Sequence, residues 1–340
     1  MSVKLKKIHD QVMVVTGASS GIGLTTVEMA AEAGARVMLS SRNENALRSA
    51  VARIKSRGGR ASFFVADVAD EAAMEALARQ TVEEFGRIDT WVNNAGVSIY
   101  GKLEDTPTED KRRLFDVNFW GIVNGCKAAV PHLKKTGGAI INVGSIVSDM
   151  AIPLQGIYSA SKHAVKGYTD ALRMELEQEG APIAVTLVKP AAINTMYAEH
   201  ARSHMAEEPA LPPPLYEPEV VARAILRCAE KWTRDITVGG VGRAQTLFRA
   251  MAPRLADVYM ERMMFSQQKA PEPSHGADSL YEPTADGRRR GRYAGRTLKT
   301  SAYTTAALSD VARAMPFIAA TAGLAALLSR RRPRVSGARA

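Results

Sequence analysis

Tyr158-Ser159-Ala160-Ser161-Lys162 sets a phenol and an ammonium four positions apart, which on a helix is one turn along a single face. A free tyrosine titrates near 10, and a cation about 4 Å away contributes about 4 kcal/mol at an effective dielectric of 20, roughly three pK units. Such a phenol can exchange a proton near neutrality. Alone the pattern is weak, because solvated Tyr/Lys pairs recur by chance on many helices. A second pattern adds to it: Val12-Met13-Val14-Val15-Thr16 runs into Gly17, three residues, Gly21, one residue and Gly23. That is a strand, a glycine-rich turn and the start of a helix. Missing side chains let a pyrophosphate approach main-chain N–H groups, and the positive helix end adds an anion site without any lysine. Three glycines beside a strand also serve an ordinary tight turn. The second strand ends in Ser40-Ser41-Arg42, where a doubly wound sheet faces the adenosine ribose. A carboxylate there would accept from a free 2′-hydroxyl; Ser41 and Arg42 instead offer a donor and a cation, which favours NADP(H) over NAD(H). The alternative for Arg42 is a solvated surface charge.

These groups need a scaffold. Apolar runs of strand length at 12–16, 37–40, 63–66, 90–92, 139–143 and 185–188 alternate with stretches long enough for crossover helices, and 235–239 reads as one more strand. The fold class is therefore α/β, a doubly wound parallel sheet of Rossmann-like type, in a single domain over residues 1–262 with a C-terminal extension. Residues 196–218 interrupt the alternation with Pro212, Pro213 and Pro214 and are expected to form a lid.

Length and charge exclude other classes. The 340 residues are 46% hydrophobic and 24% charged, ordinary for a soluble protein and unlike a polytopic membrane protein. The net charge of +10 suggests a nucleic-acid binder, yet residues 263–340 hold 13 Lys/Arg against 5 Asp/Glu and so carry +8 of it. A body of charge +2 offers no broad footprint for nucleic acid. Cys126 and Cys228 are too far apart in sequence for a metal cluster or disulfide framework, and a reducing compartment follows. The amino end carries no signal-peptide core, so a cytoplasmic catalytic domain is expected.

Residues 263–310 read as a basic linker containing Pro and Gly, with Arg288–Arg290, Arg292 and Arg296 clustered. Residues 311–340 read as an apolar helix with basic flanks. Sixteen uncharged residues from Ala314 to Ser329 would extend about 24 Å as a helix, short of a hydrocarbon core near 30 Å. Snorkelling Arg313 and Arg330 would make up some of the difference, and 311–332 could attach to a membrane surface or bilayer. Docking on the protein's own body or on a partner subunit is the other reading.

Several motifs in order make the chain resemble the short-chain dehydrogenase/reductase family, single-domain type, over about residues 8–240. Thr16-Gly17-Ala18-Ser19-Ser20-Gly21-Ile22-Gly23 is similar to the family's cofactor turn, Asp67-Val68 to its adenine contact, and Asn93-Asn94-Ala95-Gly96 to its sheet-stabilising segment. Asn118 lies in Val117-Asn118-Phe119-Trp120-Gly121, and Ser145 precedes Tyr158 by thirteen residues. The resemblance implies an oxidoreductase interconverting a carbonyl and an alcohol, assembled as a homo-oligomer. Tyr158 would be general acid/base, Lys162 would lower its pKa and hold the nicotinamide ribose, Ser145 would bind the substrate oxygen, and Asn118 would position a water. Cofactor contacts would come from Gly17, Ser19, Ser20, Gly21, Ile22, Gly23, Ser41 and Arg42, from Asp67, Val68, Asn94, Ala95 and Gly96, and from Pro190, Ile193 and Thr195. One departure is Ala191, where the family usually has glycine after the proline.

His200 and His204, four apart, lack the further ligands a metal site needs and are expected to line or cover the cleft. Cys126, Trp91 and Trp120 read as packing, and Met260, Met263 and Met264 as helix core. The apolar lid residues Met196, Tyr197, Met205 and Leu211 suggest an apolar substrate. The competing class is a non-catalytic dinucleotide-binding regulatory protein, which would need the glycine turn but no phenol and ammonium pair.

Overall fold

The computed structural model describes residues 3–274, 276, 278–284 and 287–309. The tail at 311–340 lies outside them. Seven parallel strands form one sheet: β1 (Val12–Thr16), β2 (Arg36–Ser41), β3 (Arg60–Val65), β4 (Thr90–Asn93), β5 (Gly138–Val143), β6 (Ile183–Pro190) and β7 (Asp235–Val238). Their spatial order is β7-β6-β5-β4-β1-β2-β3. All seven expected strands are present. β1, β5 and β6 are buried throughout, as helices on both faces of a parallel sheet require. β3 starts at Arg60, earlier than its apolar run, because as the edge strand it pairs on one side only and tolerates an exposed arginine.

On one face lie α1 (Gly21–Glu32), α2 (Glu44–Ser56) and the later helix Pro218–Glu230; on the other lie α3 (Glu71–Phe85), α4 (Thr108–Phe115), α5 (Gly121–Thr136) and α6 (Gly156–Gln178). Asn43 and Asp70 cap α2 and α3 by accepting from the amides of Ala46 and Ala73. The chain order reverses between β1 and β4, which opens a crevice beyond their carboxyl ends.

The segment expected to be a lid is tied down at three places. Arg202–Ser203 pairs with Ile99–Tyr100, Glu207–Pro209 with Lys269–Pro273, and Leu215–Tyr216 with Thr297–Leu298. Two of these partners come from the segment expected to be an irregular linker. Its described residues run back across the body as a strap and end in the helix Ala302–Ala307, where the Thr304 hydroxyl accepts from the Gly239 amide at 3.0 Å. Among the described residues no helix is long and apolar enough to cross a membrane.

Candidate active site

The crevice is built first from the loop after β1. Gly17 has φ +64°, and a Cβ there would lie 2.7 Å from Ala95 Cα, so only glycine lets the two loops touch. At Gly23 a Cβ would stand 2.2 Å from the Gly17 carbonyl oxygen. Gly23 therefore closes the turn against α1 and does not itself line the cavity. Asn94 Nδ2 donates to the carbonyls of Thr16 (3.0 Å) and Gly17 (3.2 Å), and the Asn94 and Ala95 amides donate to Thr16 Oγ1 at 3.1 and 3.2 Å. Gly17, Ser19, Ser20, Gly21 and Ile22 then form one wall of a cavity, Asn94, Ala95 and Gly96 another, and Ser41, Arg42, Asp67 and Val68 its far end. Glycines that a Cβ would block, a helix start and polar groups at the far end fit a dinucleotide.

At that far end the sequence missed the partners. Arg113 pairs with Asp67 and donates through Nε to the Leu280 carbonyl at 3.1 Å. Burial pushes the Asp67 carboxyl up, but the Ala69 N–H, Arg113 and the charge of Arg42 together hold it below the usual carboxylate range. Arg42 donates through Nη1 to the carbonyls of Tyr281 (2.6 Å) and Leu280 (3.3 Å), and through Nη2 to that of Ser279. It is thus neither a free surface charge nor an uncommitted fork.

A second cavity adjoins the first, sharing Ile22, Asn94, Gly96, Thr195 and Tyr197 as lining. Tyr158 and Lys162, one turn apart on α6, face into it with Ser145. Ser145 caps the short turn Ile146–Ser148, accepting from the Val147 amide at 3.3 Å, while Ser148 Oγ accepts from the Ser145 amide at 3.3 Å. Ser148 therefore braces the loop that carries Ser145. Lys162 Nζ donates to the Val143 carbonyl at 2.9 Å and sits 5.7 Å from the Tyr158 ring centre. Burial lowers the Lys162 ammonium to about 8. Burial raises the Tyr158 phenol, against the neighbouring Tyr197 and Ser145 hydroxyls, which lower it. The simple expectation of a phenol brought down by a cation at 4 Å is not met here, since desolvation disfavours both charges and the ammonium is held by a carbonyl.

Asn118 lies in a π-helical segment, Asp116–Trp120, between α4 and α5. Such a bulge re-aims side chains and is frequent at functional sites. Asn118 Oδ1 accepts from the Val97 amide (2.8 Å) and Nδ2 donates to its carbonyl (3.0 Å). A Cβ on Gly96 would lie 3.3 Å from Asn118 Oδ1 and 3.8 Å from Lys162 Nζ, which places all three groups together.

After β6, Pro190, Ala191, Ile193 and Thr195 border the second cavity. The methyl of Ala191 is accommodated by glycines opposite: a Cβ on Gly239 or on Gly242 would lie 2.9 Å from it. The Ala191 amide donates to the Val238 carbonyl at 2.9 Å, which holds the turn. Tyr197 has a larger place than an apolar lid residue. Its hydroxyl accepts from Ser98 Oγ at 2.8 Å and donates to Gln155 Oε1 at 2.7 Å; Gln155 Nε2 in turn donates to Gln268 Oε1 at 2.6 Å. Nothing in the sequence flagged this, because Gln268 and Gln155 are 113 positions apart.

His200 borders the first cavity, and His204 turns to Asp110 at 2.9 Å. Cys126 is buried in the sheet–helix core, where burial pushes its thiol up to about 12. Trp91 is fully buried, whereas Trp120 is 51% exposed, because the π-helical segment turns it outward. Of the three methionines, Met264 is buried and Met263 exposed.

The family model described as short chain dehydrogenase matches residues 11–206. The chain is 43% identical to the uncharacterized oxidoreductase YxnA of Bacillus subtilis (strain 168) over 337 residues, covering 98% of this chain and 94% of that protein. It is 39% identical to a 3-ketodihydrosphingosine reductase of Bacteroides thetaiotaomicron over 194 residues, 57% of this chain and 68% of that one. Among solved structures it is similar to a short chain dehydrogenase/reductase from Burkholderia phymatum in complex with NAD, with TM-score 0.66, 26% identity and coverage of 75% and 96%. A short chain dehydrogenase from Burkholderia cenocepacia in complex with NADP gives TM-score 0.64, 28% identity and coverage of 75% and 99%. With its sheet order, its glycine turn and these likenesses, the chain belongs to the short-chain dehydrogenase/reductase family of oxidoreductases.

Proposed function

We propose that this chain is an NADP(H)-dependent oxidoreductase that interconverts a carbonyl and a secondary alcohol on an apolar substrate, with Tyr158 as general acid/base. The observation that carries this is the meeting of a buried phenol, the Ser145 hydroxyl and the Lys162 ammonium in the second cavity, which adjoins the first. Gly17, Ser19, Ser20, Gly21 and Ile22, with Asn94, Ala95 and Gly96, would hold the dinucleotide, and Ser41, Arg42, Asp67 and Val68 its adenosine end. A bound nicotinamide supplies or accepts the hydride. Tyr158 gives its proton to the carbonyl oxygen in reduction and takes it back in oxidation. Ser145 donates to the same oxygen and so stabilises charge that builds on it. Lys162, near 8, can charge and discharge close to neutrality and supports the phenolate when it forms. Asn118, its amide engaged by both backbone groups of Val97, braces the loop at Gly96 beside Lys162.

Met150, Ile152, Leu211 and Met264 line the second cavity, which favours an apolar substrate. A relative named a 3-ketodihydrosphingosine reductase accords with a ketone. The test is consumption of NADPH and NADH with a panel of hydrophobic ketones. Binding of dinucleotide with no turnover on any of them would favour the regulatory reading instead.

For the cofactor, the absence of a carboxylate at Ser41 supports NADP(H), while the engagement of Arg42 with three carbonyls favours NAD(H) as a second reading. For the tail, membrane attachment through residues 311–332 is supported by sixteen uncharged residues from Ala314 to Ser329 with arginines at both ends. Flotation of the full chain with anionic vesicles tests this, and protein remaining at the bottom of the gradient rejects it. Assembly as a homo-oligomer belongs to the same reading and is measured by light scattering.

A further inference from the structure

The described parts of the strap meet the dinucleotide cavity at its adenosine end and at its glycine turn. Ser279, Pro283 and Thr284 line its adenosine end, where Leu280 is fully buried and Asn43 Nδ2 donates to the Thr284 carbonyl at 2.6 Å. Farther along, a Cβ on Gly287 would lie 3.5 Å from the Ser19 carbonyl oxygen. The Arg288 carbonyl accepts from the Gly21 amide at 2.9 Å, at the start of α1. Beyond it, a Cβ on Gly291 would stand 2.5 Å from the Thr195 carbonyl oxygen, so the backbone approaches the other end of the cavity closely.

The strap is held by charge. Arg288 donates to Glu199 at 2.8 Å, Arg289 pairs with the buried Glu28, and Arg290 pairs with Glu217 and reaches Glu219 at 2.6 Å. Thr297 also donates to Glu217. Burial pushes the Glu217 carboxyl up, yet these donors hold it below the ordinary range. The arginine ends are partly exposed but Glu28 and Glu217 are buried, so releasing the strap costs more than breaking surface pairs, as a latch requires. By contrast, Leu280 and the short strand at Thr297–Leu298 anchor both ends.

We propose that residues 279–284 and 287–298 belong to the dinucleotide site, a strap set against its adenosine end and its glycine turn that must release for the dinucleotide to exchange. The proposal rests on the reading of this cavity as the dinucleotide site. It adds carbonyls of Ser279, Leu280 and Tyr281 to the surroundings of Arg42, and it makes dinucleotide residence a property of the extension as well as of the glycine turn.

A cross-link gives the test. A Cβ on Gly287 would lie 3.4 Å from Ala46 Cβ, close to the separation of a disulfide. Cys126 and Cys228 are buried and do not compete. The full-length chain carrying Ala46→Cys and Gly287→Cys is loaded with NADPH or NADH, oxidised, and mixed with excess unlabelled oxidised dinucleotide while nicotinamide fluorescence is followed. Release should slow at least about 100-fold on oxidation and recover on reduction. Oxidation before loading should slow entry to a similar degree. Equal rates in the oxidised and reduced forms overturn the proposal, as does failure of the two thiols to join. A complementary variant, Glu199→Gln with Glu217→Gln, should release dinucleotide about tenfold faster, and unchanged release in a protein whose 287–298 amides exchange faster also overturns it. Should the wild-type protein bind neither dinucleotide, the fault lies in the reading of the cavity and not in the strap.

Discussion

The rings of Tyr158 and Tyr197 meet edge to face with centroids 5.4 Å apart, so the proposed acid/base residue is backed by a phenol from the segment after β6. Tyr197 also touches the Tyr100 ring at 6.4 Å, and its hydroxyl joins Ser98 to Gln155. Beside Tyr158, the Tyr197 and Ser145 hydroxyls lower the phenol against the burial that raises it. Tyr197→Phe should therefore move the limb on which alcohol oxidation rises with pH to higher pH. The unpaired Ser98 and Gln155 should cost about 1–3 kcal/mol of stability, read by denaturant unfolding. An unmoved pH profile would remove Tyr197 from the proton site.

Tyr158→Phe should lower turnover by at least about 100-fold, the usual scale of general acid/base catalysis, while dinucleotide affinity measured by fluorescence changes little. Undiminished turnover refutes the acid/base assignment. Loss of both activity and binding would instead point to a damaged cavity.

Burial takes the Lys162 ammonium from 10.5 to about 8. Between those values the unfolded chain binds more protons than the folded one, so this group makes stability rise with pH across that window, by about 3 kcal/mol in all. Below about 8 the burden is constant. In Lys162→Met the rise should vanish, and urea unfolding of both proteins at pH values spanning the window measures the difference. Parallel pH dependences would show that Lys162 is ordinarily solvated in solution.

Arg42→Ala should raise the Michaelis constant for NADPH more than that for NADH if the guanidinium reads a 2′-phosphate. Equal increases would mean that Arg42 acts chiefly by holding the strap carbonyls, and the NAD(H) reading would then stand. Steady-state kinetics with both dinucleotides separates the two.

The seven strands, the glycine turn and the Tyr158/Lys162 face were legible in the sequence because each depends on local order. β-branched runs mark buried strands, glycine spacing marks a backbone without room for Cβ, and an i, i+4 pair marks one helix face. Proximity across the chain was not legible. Gln155 meets Gln268, Arg42 meets residues 279–281, and Arg290 meets Glu217 and Glu219 only after the extension has folded back. A signal existed in the matching charges, since Glu199, Glu217 and Glu219 take arginines of 288–292 and Glu207 takes Lys269. Composition alone read those arginines as part of a basic linker, because charge is written in the sequence but its partner is not. The chemistry of the phenol was likewise set by neighbours: type and spacing named Tyr158, whereas burial, the Val143 carbonyl and Tyr197 decided how readily it ionises, as desolvation depends on what surrounds a group in three dimensions.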